Sequence, residues 1–207
     1  MPDLIQAQYP LCDVCPVGFF LGDCFVLHGI FTFIIDTVAG LFAGFLLLRF
    51  WMQAQRVRPP MGLGQSVFQI TDWLVRPIRR LIPGFAGFDW ASLIAAFLVA
   101  LISVLVELML LSNFSPLVIG LLAAFRLAQW ILYGFMALLI LEAVFSWVNP
   151  HAPFAPFIRT LNEPVLSPLR KLIPALGGID FSPLVALIIL QVLNRLLSEL
   201  LPLAIGF

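Results

Sequence analysis

Charge is what this sequence has least of. Asp, Glu, Lys and Arg together make up 11% of its 207 residues, against 62% hydrophobic. Soluble domains run to about 25% charged and about 45–50% apolar, so the deficit excludes an ordinary solvated surface. Histidine is scarce too: His28 and His151 are the only two, in unrelated settings. There is no glycine-rich phosphate loop, no H-E-x-x-H and no nucleophile elbow, so no catalytic residue, metal or cofactor is expected. Nor does the chain carry the clustered basic excess of a nucleic-acid binder, since its formal net charge is zero. Residues 1–25 lack any Lys or Arg, which argues against a secretory signal peptide.

What is present is apolar and blocked into runs. A bilayer core of about 30 Å needs roughly 20 apolar residues in a helix. Four stretches qualify, at about Val26–Phe50, Trp90–Leu111, Leu117–Trp147 and Phe181–Leu201. The expected class is an all-α membrane protein with four transmembrane helices.

The chain also repeats itself, which fixes the architecture before any local reading. Pro77, Arg79, Leu81, Ile82, Pro83, Gly87 and Asp89 recur as Pro168, Arg170, Leu172, Ile173, Pro174, Gly178 and Asp180, each 91 positions later. Both copies are basic, proline-punctuated segments between two apolar runs. Residues 26–112 and 117–205 therefore read as two units of helix, amphipathic segment, helix. Lys and Arg beside membrane helices stay on the cytoplasmic side. Both basic segments should be cytoplasmic and both termini periplasmic, which makes the units a parallel repeat about the membrane normal.

Within the first segment, Val67, Phe68, Ile70, Trp73 and Leu74 fall at helical spacing among Gln65, Gln69 and Asp72. That is the pattern of a helix lying in the headgroup plane. The second segment, residues 156–173, carries a similar face, but Pro164 and Pro168 predict two short helical pieces. Arg76, Arg79, Arg80, Arg170 and Lys171 form the candidate contact set for anionic lipid at the cytoplasmic face, or for a membrane-protein partner. Positive-inside topology alone also accounts for most of them. A second copy of the chain is a further expected partner.

Ionisable residues inside spans are functional candidates by default. Here they are Asp36, Glu107, Arg126, Glu142, Arg195 and Glu199, with Arg49 and Glu142 at the cytoplasmic ends of runs one and three. Asp36 and Arg126 fall at matching depth, and Arg195 can reach Glu199 or Glu107. One reading makes these structural pairs, and an arginine is at hand for most of the acids. The other makes Asp36, Glu107 and Glu199 the lining of a cation path. Gly40-x-x-x-Gly44 has small-residue spacing and reads as a packing groove. Cys12-x-x-Cys15 in the tail could close a small disulfide. The tail itself reads as dispensable, or as an untranslated extension with initiation nearer Val26.

Several stretches then resemble one family. They are Leu48-Arg49-Phe50, Thr71-Asp72-Trp73-Leu74-Val75-Arg76-Pro77-Ile78-Arg79-Arg80-Leu81-Ile82-Pro83 and Phe145-Ser146-Trp147-Val148-Asn149-Pro150. To these is added Leu169-Arg170-Lys171-Leu172-Ile173-Pro174 with Gly177-Gly178-Ile179-Asp180-Phe181. The sequence resembles the YggT family of small bacterial and plastid membrane proteins, over about residues 31–199. The resemblance implies no enzymatic activity and no cofactor. It implies a bacterial inner-membrane location and a scaffold or accessory role in envelope homeostasis and osmotic-stress tolerance. As alternatives it implies potassium uptake under osmotic shock, or a part in cell division or cytochrome maturation.

Overall fold

The computed structural model describes residues 21–57, 59–60, 62–81, 88–108, 115–149, 152–172 and 182–205. Its elements are the α-helices α1 (Leu21–Ala54), α2 (Leu63–Leu81), α3 (Trp90–Leu108), α4 (Pro116–Val148), α5 (Ala155–Leu172) and α6 (Ser182–Ile205). Four of them, α1, α3, α4 and α6, are long and apolar enough to cross a membrane. They coincide with the four hydrophobic runs. An amphipathic helix separates each pair, so the order long, amphipathic, long occurs twice. Cys12, Cys15 and His151 lie outside the described residues.

α1 and α4 have 34 and 33 residues. At 1.5 Å per residue each is about 50 Å long, well beyond a hydrocarbon core of about 30 Å. The surplus at their C-terminal ends receives the amphipathic helices: α2 packs on α1 and α3, and α5 on α4 and α6. Met52 of α1, Val67 of α2 and Phe157, Ile158 and Leu161 of α5 form one buried cluster there. Trp51 donates its indole N–H to the Leu161 carbonyl at 3.0 Å and meets Phe135 edge-on at 4.9 Å. Both amphipathic helices thus sit at the same end of the bundle.

α3 runs between α1 and α4 and owes this to small residues. Ala91, Ser92, Ala95, Ala96, Ala100 and Ser103 are all buried, and such side chains let membrane helices approach closely. α4 starts cleanly. Ser115 accepts from the Val118 N–H at 3.4 Å, and Pro116 occupies the first turn, where its missing N–H costs nothing.

α5 corrects an expectation. It is one continuous helix with Pro164 and Pro168 inside it, not two pieces. Both prolines are exposed, so the carbonyls they leave without donors face the outside rather than the core. Asn162 and Arg170, on either side of them, are tied to α4. Tertiary anchoring on both flanks outweighs the local break. α2 likewise continues through exposed Pro77 to Leu81. Its inward face is Val67, Thr71 and Val75, while Phe68, Ile70 and Trp73 are turned outward.

A Cβ on Gly40 would meet the Trp130 indole nitrogen at 3.1 Å, whereas one on Gly44 would meet nothing within 4 Å. The first glycine therefore holds α1 against α4 and the second does not. Gly40→Leu should lower the thermal midpoint of the purified protein in detergent, in line with the about 1–3 kcal/mol that overpacking costs. Gly44→Leu should leave the midpoint within error of the wild type.

Candidate functional site

Among the described residues, three charge networks join one helix to another. The first surrounds Arg49, near the C-terminal end of α1. Its side chain is 6% exposed, and the guanidinium donates to the Thr71 hydroxyl at 2.9 Å, Asp72 Oδ1 at 2.7 Å and Asp89 Oδ2 at 3.3 Å. It also lies 4.8 Å over the Phe68 ring. Thr71 donates its own hydroxyl hydrogen bond to the Val67 carbonyl at 2.7 Å. Asp89, 1% exposed, also accepts from Arg79 and from the Ser92 hydroxyl at 2.8 Å. Its backbone carbonyl takes the Ser92 N–H at 3.0 Å and starts α3. One arginine thus ties α1 to the middle of α2 and to the residue just ahead of α3.

The second network sits at the equivalent place around α4 and α5, with the sign reversed. Here the buried group is an acid. Glu142 accepts from Asn162 Nδ2 at 2.7 Å and Arg170 Nη2 at 3.1 Å. Asn162 reaches the Leu138 carbonyl as well, at 3.0 Å, and Arg170 also pairs with Glu163 at 3.0 Å. Adding the 91-residue offset to Thr71, Asp72 and Arg79 gives Asn162, Glu163 and Arg170. The amphipathic helices thus offer corresponding polar positions to a cation in one half and an anion in the other. Thr71, Asp72, Asn162 and Glu163 were not singled out as a set from sequence, although this shared register was the signal for it.

The third network lies within the spans. Arg126 of α4 donates to Asp36 of α1 at 2.6 Å and forks onto both oxygens of Glu107 of α3, at 3.0 and 2.8 Å. The structure therefore pairs Glu107 with Arg126 and not with Arg195. Arg195 pairs with Glu199 along α6 at 3.1 Å, and both are exposed. Among the described residues, no group of three or more His, Cys, Asp or Glu side chains could hold a metal ion.

A cleft of about 370 Å³, lined by Arg49, Phe68, Asp72, Val75, Arg76 and Arg79, opens beside the first network. Arg76, Arg79, Arg80 and Lys171 are exposed, Arg79 while paired with Asp89. Arg170 is turned inward to Glu142 and Glu163. Of the repeated motif residues, Pro77, Arg79, Leu81, Asp89, Pro168, Arg170 and Leu172 are described, while Ile82, Pro83, Gly87, Ile173, Pro174, Gly178 and Asp180 lie outside the described residues.

Hydrogen bonding from Arg49 holds the Asp72 carboxyl below its ordinary value near 3.8, against the opposing effect of burial, with Arg76 contributing less. A carboxyl whose folded pKa is lowered adds stability in full above its unfolded value, and that stability is lost as pH falls through the folded one.

Four helices long and apolar enough to cross a membrane, with two amphipathic helices between them, define a polytopic α-helical membrane protein. The family model described as CCB3/YggT matches residues 28–111 and again 113–201. The chain belongs to the CCB3/YggT family. It is 35% identical over 173 residues to an Escherichia coli relative titled "Uncharacterized protein YggT", covering 82% of this chain and 90% of the relative. An uncharacterised Pseudomonas aeruginosa protein is 35% identical over 169 residues (79% and 86%), and one from Haemophilus influenzae is 32% identical over 168 (81% and 91%). No solved structure matches.

Arg49→Ala should destabilise the protein by about 3 kcal/mol, because it removes the buried cation that Asp72 and Asp89 share and leaves buried Asp89 with Arg79 alone. Detergent unfolding curves check this. Asp72→Asn should flatten the loss of stability below pH about 4 that the wild type shows as Asp72 protonates. Thermal midpoints measured from pH 6 to pH 3 give that comparison.

Proposed function

We propose that the protein is a non-enzymatic scaffold of the bacterial inner membrane, acting in envelope homeostasis and osmotic-stress tolerance. In this reading α2 and α5 lie in the cytoplasmic headgroup layer, with both termini periplasmic. They present Arg76, Arg79, Arg80 and Lys171 to anionic lipid or to a membrane-protein partner, while Arg170, expected in the same contact set, is engaged by Glu142 and Glu163. The observation that carries it is the outer face of α2. Arg76 is 76% exposed beside exposed Arg80, Trp73 and Ile70, which is the make-up of a helix seated among headgroups. Arg79 and Arg170 also serve the internal networks, so Arg76, Arg80 and Lys171 are the residues that separate binding from folding.

Juxtamembrane basic residues contribute about 1 kcal/mol each toward anionic lipid, or about fivefold in affinity. Native mass spectrometry of protein taken from phosphatidylglycerol-containing membranes should show retained anionic lipid. The triple variant Arg76→Gln, Arg80→Gln, Lys171→Gln should retain markedly less while unfolding at the same temperature. Equal retention of zwitterionic and anionic lipid by the wild type would overturn the lipid-contact reading.

A second reading, cation uptake under osmotic shock, draws on the intramembrane triad. It holds two carboxylates against one guanidinium, and Asp36 is 47% exposed. This reading expects potassium flux into liposomes carrying the protein alone, abolished by Asp36→Asn. A folded wild type that passes no potassium would remove the triad as a path.

A further inference from the structure

α6 carries charge where a membrane-spanning helix has least use for it. Arg195 is 80% and Glu199 64% exposed, and their contact at 3.1 Å is the ion pair they share along the helix. Arg195 lies six residues, about 9 Å, inside the Leu201 end of the apolar span. A guanidinium has five N–H donors, so one carboxylate contact leaves most of them to be met by something outside the chain. Hydrocarbon offers nothing, and ionisable groups in spans almost always turn inward or pair. The other intramembrane cation, Arg126, does so, with two carboxylates around it.

The exposed face has a pattern as well as a charge. Ile188, Val192, Arg195 and Glu199 follow one another at spacings of four, three and four, all exposed, with exposed Gln191 alongside. This is the spacing of a seam between two helices crossing at a shallow angle. The inner side of α6 is already used: Asn194 reaches Tyr133 and Ser198 receives Gln129, both of α4 and both at 3.4 Å.

We propose that this face is covered by α6 of a second copy of the chain, in a parallel dimer about a twofold axis along the membrane normal. The argument for a second copy is charge complementarity. A twofold axis sets residue i against j and j against i, so a face with one cation and one anion a turn apart satisfies itself. Arg195 of each copy meets Glu199 of the other across about 6 Å of rise, one turn, within the reach of two long side chains. The two intrahelical pairs become a closed four-membered ring of alternating sign. The amide of Gln191 extends the polar seam toward the middle of the span, and Ile188 and Val192 close it toward the other end.

The test uses the full chain in native membranes, with Cys12, Cys15 and Cys24 replaced by serine. Ile188→Cys and Val192→Cys should each give an oxidised dimer, while Val38→Cys, on the exposed face of α1, should not. Single swaps Arg195→Glu and Glu199→Arg should each cut the Val192→Cys dimer at least fivefold. Co-expressed with different tags, the two swapped chains should recover a dimer containing one of each. Their cross-pairs are again opposite in sign, whereas the pair within each helix stays like-charged. No dimer from either α6 cysteine, or equal crosslinking from Val38→Cys, would overturn the proposal and leave Arg195 reaching toward headgroups. Crosslinking of α6 to a different protein would also overturn it. If single swaps prevent accumulation of the protein, the two α6 cysteines in the unswapped chain still decide the matter.

Discussion

A charge at the edge of a bilayer must be answered by another charge, and the position of the answer fixes the chain around it. Arg49 is the clearest instance. Leaving its guanidinium unpaired and desolvated would cost several kcal/mol, so Thr71 and Asp72 of α2 and Asp89 ahead of α3 converge on it. Those partners come from within and just after the amphipathic helix that follows α1. The pairing therefore sets where α2 lies and where α3 begins. The small residues of α3 then complete the fit by letting α1 and α4 approach from either side.

The second half meets the same requirement with the opposite sign. Glu142 is the buried group, and Asn162 and Arg170 of α5 answer it. What the two halves have in common is an amphipathic helix held to the bundle by a polar dyad and an arginine. Which charge stands on the long helix is free to differ, because either sign satisfies the same electrostatic need. This also explains why Pro164 and Pro168 do not divide α5. Contacts to α4 flank both prolines, and the lost backbone bonds fall on the outer side.

The same rule reaches into the spans. Arg126 draws Asp36 and Glu107 together and so joins α1, α3 and α4 at depth, next to the close approach of Gly40 and Trp130. On α6 the rule is met only within one helix, and Arg195 and Glu199 remain turned away from the bundle. The charge distribution therefore separates a closed interior from one open, polar seam.

The sequence by itself determined the class, the four spans, the recurring order of elements and the family resemblance. Apolar runs of 20 residues and motifs repeated at a constant offset are properties of the chain alone. It also placed Asp36 and Arg126 at equal depth, since rise per residue converts position into depth. Partner choice was beyond it: Glu107 was in reach of Arg195 on paper, yet it joins Arg126, because azimuth and helix order depend on packing. The continuity of α5, the inward turn of Thr71 and Asn162, and the division between Gly40 and Gly44 were likewise decided by tertiary structure. Periodicity states which residues share a face, and only the neighbouring helices decide what that face meets.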